Sequence, residues 1–165
     1  MDNQDKKKKL KIGWFSFSCC EDSTIVFVEM MNENYFKWKE LLEFRHARVL
    51  KSKNELSDID VAFIEGAIAN DKDEKQVKKI REVSKKVVAI GSCAVKGNPS
   101  AQRNEFSSEK LKKIEPFILR WGLNKKVKAL KEVIEVDDFV DGCPMSEEKF
   151  LEVLNKSLKE FGIIE

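Results

Sequence analysis

The chain reads as an α/β protein: a parallel sheet with helices on both faces. Two observations carry that reading. Short, mainly apolar runs such as Ile59–Ile64, whose one polar residue is Asp60, and Val87–Ile90 alternate with longer charged stretches of helical periodicity, the order that builds βαβ units. These runs lack polar alternation, as strands buried on both faces should. No internal repeat or linker interrupts the 165 residues, a length that suits one core better than two. Residues 1–10 read as a polar tail and 11–165 as a single domain.

The first strand candidate is Leu10–Phe17, which stops at Ser18-Cys19-Cys20. A helical stretch follows, with Ile25, Val28, Phe36, Leu41 and Leu42 as its apolar residues and a break suggested by Asn32 and Asn34. Ala47–Leu50 is a second strand candidate. Ile59–Ile64 is a buried strand ending at Glu65-Gly66, and a charged helix from Asp71 to Ser84 turns Val77, Ile80 and Val83 inward. The strand Val87–Ile90 ends at Gly91-Ser92-Cys93. Between Gly97 and Lys126, Leu111, Ile114, Ile118 and Trp121 mark one side of a helix whose continuity Pro116 puts in question, with Gly122 as its stop. Val133–Val136 is the last strand candidate, followed by Gly142-Cys143-Pro144. Ser146 then caps a helix carrying Glu147 and Glu148 in its first turn and Phe150, Leu151, Leu154, Leu158 and Phe161 on its apolar face.

Composition excludes several function classes. The 31 Lys and Arg nearly balance 29 Asp and Glu, and no basic patch with interleaved aromatics points to nucleic acid. The one dense basic run, Lys6 to Lys9, reads as a solvated tail, with docking to an acidic partner as its alternative. No apolar stretch approaches the roughly 18 residues of a membrane span, and no h-region follows the basic cluster. A cytoplasmic, reducing setting is therefore expected, where cysteines serve metal or redox chemistry before disulfides. No nucleophile–histidine pair and no phosphate loop supports a hydrolase or nucleotide-binding reading.

The four cysteines are the informative feature. Cys19-Cys20, Cys93 and Cys143 each follow a strand candidate, and ligands of open α/β sheets gather outside the carboxyl ends of strands. Three separated positions should therefore converge, each beside a small or turn-forming neighbour: Ser18, Gly91 with Ser92, and Gly142 with Pro144. Four thiolates suit zinc or an iron–sulfur cluster. The paired knuckles of structural zinc sites are missing, and scattered ligands suit a cluster in a preformed fold. The competing reading is that these are small buried hydrophobes.

The same residues carry a family resemblance. Cys19-Cys20 after the first strand, Phe63-Ile64-Glu65-Gly66, Gly91-Ser92-Cys93-Ala94 with Gly97, and Val136-Asp137 followed by Gly142-Cys143-Pro144 occur in order. Together they resemble the small subunit of [NiFe]-hydrogenases and the related 20 kDa subunit of complex I, from about Lys11 to Leu158. The resemblance implies a flavodoxin-like, doubly wound fold and one metal-binding centre, a proximal [4Fe–4S] cluster lying against a partner subunit. Cys20, Cys93 and Cys143 match the family's cluster ligands. For the fourth ligand, hydrogenase small subunits have C-x-x-C, whose second cysteine is Ser23 here, whereas complex I has adjacent cysteines, as in Cys19-Cys20. Asp141 replaces the usual proline, and Met145 follows Pro144. No cysteine follows Cys143, so one cluster is expected.

The implied function is electron transfer by an oxidoreductase subunit. It would relay electrons between a hydrogenase-type large subunit, which holds the catalytic metals, and a further carrier such as a ferredoxin-like protein. A complex-I-like respiratory module and a non-redox structural homologue are the alternatives. Among lesser candidates, Glu65 is expected to accept hydrogen bonds from nearby backbone amides, with proton transfer or cluster tuning as its alternative; Glu21 and Asp22 are expected to start a helix, with acid groups placed near the cluster as theirs, and His46 to be an ordinary polar group. Phe15, Phe17 and Met145 are candidates for a partner contact, Phe15 and Phe17 also for the core.

Overall fold

A computed structural model describes residues 8–165. The tail residues before them, including the start of the Lys6–Lys9 run, lie outside the described residues. Five strands, β1 (Leu10–Ser16), β2 (Leu42–Ala47), β3 (Ile59–Glu65), β4 (Ser84–Ile90) and β5 (Asp138–Val140), form one sheet in the order β2-β1-β3-β4-β5. Every neighbouring pair is parallel. This is the flavodoxin-like order, in which chain direction across the sheet reverses between β1 and β3.

Alternating side chains of each strand enter two separate cores. Val61 and Phe63 of β3 and Val88 and Ile90 of β4 meet helices α1 (Asp22–Leu41) and α5 (Glu147–Glu160) on one face. Ala62 and Ile64, with Val87 and Ala89, meet α2 (Asp71–Glu82), the short α3 (Gly91–Lys96) and a 3₁₀ turn at Leu130–Glu132 on the other. The α1/α5 core is aromatic. Trp14 stacks on Phe27 at 4.1 Å, and Phe150 lies 5.3 Å from Phe63 and 5.9 Å from Phe27. Helix α4 (Ser108–Arg120) follows a 3₁₀ turn at Ser100–Glu105.

The local expectations hold where burial enforces them and fail elsewhere. Helix α1 runs unbroken through Asn32 and Asn34 because Phe27, Met30, Trp38 and Leu41 form one buried face; Asn34 Nδ2 donates to Met30 O at 2.9 Å. Ile25 and Phe36 point to solvent instead of the core. The second strand is Leu42–Ala47; Ala47–Leu50 is mostly a turn, in which Leu50 N–H reaches back to Ala47 O at 2.9 Å. Val133 and Val136 are not in a strand: they pack against the α2-side core, and the strand comes just after them at Asp138–Val140. Helix α4 passes through Pro116, where both Pro116 and Lys112, four residues back, are exposed, so water can satisfy the unpaired carbonyl. Phe15 and Met145 are core residues, each 3% exposed, and Phe17 is half-buried.

Phe150 is fully buried against Trp14, Phe27, Trp38 and Phe63. Phe150→Ala is expected to cost about 3–5 kcal/mol through lost burial and a cavity, read as a lower urea midpoint by circular dichroism with the slope unchanged. Leu151→Ala, at a half-buried neighbouring position, is expected to shift it far less.

Candidate metal centre

The sheet's topology brings the cysteine-bearing turns together. Cys19 and Cys20 lie between β1 and α1, Glu65 ends β3, Cys93 lies in α3 directly after β4, and Cys143 follows β5. Cys20, Cys93 and Cys143 line one shallow depression, with Glu65 and Ser23 on its inner side and Gly91, Ser92, Gly142 and Pro144 supplying its walls. The depression encloses only about 10 Å³, so a bulky group held here stands on the open side of the thiols. Cys93 is buried whereas Cys20 and Cys143 are exposed.

Backbone shape allows this approach. Gly142 has φ 124°, and a Cβ there would lie 2.5 Å from Pro144 O; Gly91 has φ 74°, and a Cβ there would press within 3.0 Å of Ser23 Oγ. Both positions therefore suit glycine alone. Gly66 sits directly behind, against the backbone of Phe17 and Ser18. Ser92 N–H donates to Gly142 O at 2.8 Å, tying the Cys93 turn to the Cys143 turn. Asp141 reinforces the tie: it accepts from Ser92 Oγ at 2.9 Å and Gly142 N–H at 2.8 Å and pairs with Lys96. The Lys96 ammonium holds its carboxyl below the usual carboxylate range.

The inner wall is a polar network around Glu65, 3% exposed. Its carboxylate accepts from Ser23 N–H at 3.2 Å and from the Thr24 hydroxyl at 2.7 Å, while Trp14 Nε1–H donates to Thr24 Oγ1 at 2.8 Å. Helix α1 has no side-chain cap from Glu21, which adopts a left-handed backbone. Glu65 therefore caps α1 from another strand, and its negative charge faces the positive end of the helix dipole. Burial nevertheless raises its pKa, because desolvation outweighs these hydrogen bonds. The expected amide acceptor is thus found, with Thr24 and Trp14 as partners that nothing in the sequence marked. Asp22 begins α1 as expected. His46 stacks on Phe15 at 4.4 Å and places Nδ1 3.2 Å from Trp14 O, remote from the thiols in role; burial lowers its pKa.

Cys19 stands apart. It does not line the depression, and its Sγ donates to Phe17 O at 3.6 Å. Burial first, and then the Glu65 charge, push its pKa up to about 12. The Cys93 thiol is also raised, by burial and then by the neighbouring Cys20 and Cys143. Ser23 does line the depression, but its Oγ already accepts from Met145 N–H at 3.2 Å.

The donor set fits a polynuclear group better than a single ion. Among the described residues no three His, Cys, Asp or Glu side chains converge as one metal ion requires. A cubane makes a different demand, since each thiolate takes its own iron and the sulfurs stay apart. Cys20, Cys93 and Cys143 share one depression, whereas Cys19 is turned to Phe17 O.

Comparison with known proteins agrees with this architecture. The chain is 29% identical over 170 residues to a subunit of the F420-non-reducing hydrogenase of Methanothermobacter marburgensis, covering 92% of this chain and 54% of that one. It is 23% identical to the delta subunit of the NAD-reducing hydrogenase HoxS of Cupriavidus necator, covering 92% of this chain and 79% of the relative. The chain thus spans about half the length of the F420-non-reducing hydrogenase subunits it matches. The fold superposes on a chain of an NAD⁺-reducing [NiFe]-hydrogenase in the H₂-reduced state with a TM-score of 0.79 at 23% identity, over 93% of each chain. Residues 19–157 match the family model described as NADH ubiquinone oxidoreductase, 20 Kd subunit, and the chain belongs to that family.

Proposed function

We propose that this chain is the electron-relaying small subunit of a [NiFe]-hydrogenase-like complex and holds one [4Fe–4S] cluster. The observation that carries the reading is the convergence of Cys20, Cys93 and Cys143, from three separate strand ends, on one depression in a member of this family. Relatives named as hydrogenase subunits support the choice of complex. When bound, such a cluster supplies one-electron redox chemistry.

The chain's own residues have three tasks. Thiolates of Cys20, Cys93 and Cys143, with Cys19 as the fourth, hold the iron. Glu65, Thr24 and Trp14 hold the inner wall together and place a hydrogen-bonded carboxyl group behind the thiols, which tunes the potential. The Ser92–Gly142–Asp141 ties hold two ligand turns at constant spacing. Exposure of Cys20 and Cys143 leaves the outer side for a partner to cover. A hydrogenase-type large subunit is the proposed cover, and a ferredoxin-like carrier the second redox partner. Adjacent Cys19-Cys20 favours one other reading, a complex-I-like respiratory module.

Three outcomes test this. Anaerobically purified protein is expected to contain about four irons and four sulfides per chain, the content of one cubane; stoichiometric zinc without sulfide overturns the cluster. Cys19→Ala is expected to lose or convert the cubane signal in electron paramagnetic resonance as severely as Cys93→Ala, with Ser23→Ala retaining it. An intact signal in Cys19→Ala together with loss in Ser23→Ala reassigns the fourth ligand. Native size-exclusion chromatography is expected to show co-elution with a large subunit bearing two C-x-x-C motifs. Membrane-spanning companions in its place select the respiratory reading, and a stable monomer in native extract removes both.

A further inference from the structure

Away from the cysteines, the segment from Ser108 to Lys128 departs from the charge balance of the chain. Seven Lys and Arg stand there against two Glu, while the whole protein carries only +2. Lys113 pairs with Glu109 and Lys128 with Glu74, each at 2.8 Å. Lys112, Arg120, Lys125 and Lys126 are exposed and have no ion pair among the described residues. The positive field of this region is therefore largely uncompensated.

Beside these cations α4 opens an apolar groove of about 330 Å³. Ile114 and Ile118 form its floor, and Phe117 and Trp121, one helical turn apart with ring centroids at 5.7 Å, form a wall. Phe117 is 51% and Trp121 64% exposed. Large aromatics left this open beside a recess are characteristic of a surface that is covered in use. Leu123 and Arg103 close the other side. Arg103 Nη2 donates to Asn124 O at 2.6 Å, while its Nε is buried with no acceptor among the described residues. A guanidinium at the edge of an apolar groove suits a carboxylate.

We propose that this groove is a docking site for an acidic amphipathic segment of a partner protein, one that inserts aliphatic or aromatic side chains between Trp121 and Leu123 and sets carboxylates against Arg103 and the surrounding lysines. Charge complementarity selects the occupant: an apolar anchor fills the groove, and flanking acids meet cations that have no ion pair among the described residues. The recess floored by Ile114 and Ile118, between the exposed Phe117 and Trp121 and Leu123, gives an inserted side chain of a protein segment a seat. The groove shares no lining residue with the cysteine depression.

The test uses the intact native complex with a photoreactive benzoylphenylalanine in place of Trp121. Irradiation and mass spectrometry are expected to place the cross-link on a net-acidic segment of a different protein. A synthetic peptide of that segment should bind the purified chain, more weakly as salt rises. Binding should fall about tenfold or more with Phe117→Ser plus Trp121→Ser, and comparably with Lys112→Glu plus Lys125→Glu plus Lys126→Glu. These substitutions are at exposed positions, and circular dichroism is expected to match the parent. The proposal is overturned by a cross-link within the same chain, to a second copy, to lipid or to a basic segment, by no cross-link at all, or by binding indifferent to both sets of substitutions.

Discussion

A buried carboxylate at the end of the central strand organises this molecule. Glu65 terminates β3, which lies between β1 and β4, and its charge is set beneath the first turn of α1. An ionised group in that position is costly unless donors surround it. The donors come from α1 through Ser23 N–H and Thr24 Oγ1, and Thr24 in turn is held by the Trp14 indole. Trp14 belongs to the aromatic core. One carboxylate thus joins the core, the start of the longest helix and the wall behind the thiols, and a shift in any of these would be felt by the others.

Sheet order explains why the site lies where it does. With β1 and β3 adjacent, α1 departs to one face and α2 to the other, and the crevice between their first turns stays uncovered. The turns after β4 and β5 extend this edge and add Cys93 and Cys143. Polar groups of the protein tie the turns directly, through Ser92 to Gly142 and Ser23 to Met145. The spacing of the cysteine-bearing turns is consequently built into the chain itself.

Much of this was legible in the residues, and unevenly so. Ile59–Ile64 and Val87–Ile90 identify themselves because a strand buried on both faces leaves little room for polar residues; Asp60, the one exception, accepts from Lys11 N–H and Lys85 Nζ. Edge strand β2, Leu42–Ala47, carries Glu43, Arg45 and His46 and so hides its periodicity, while the apolar Val133–Val136 attracts a strand assignment yet serves as packing for the α2-side core. Three cysteines could be placed together because topology decides their neighbourhood. The orientation of Cys19 could not, since it depends on the left-handed backbone at Glu21 and on a hydrogen bond to Phe17 O. Thr24 and Trp14 were likewise invisible, being ordinary residues whose meaning comes from a carboxylate 41 positions away in the chain from Thr24. Asp141 was noticed only as a replaced proline; its bonds to Ser92 and Gly142 give that replacement a physical role.

The thiols are contributed by turns that follow β1, β4 and β5, so they span most of the chain's length. No early folding fragment can hold more than part of the set, and β5, which forms only against β4, must dock before Cys143 arrives. Loop-closure entropy makes such distant pairings late events. Assembly of the thiol constellation therefore reports that the last strand has joined the sheet.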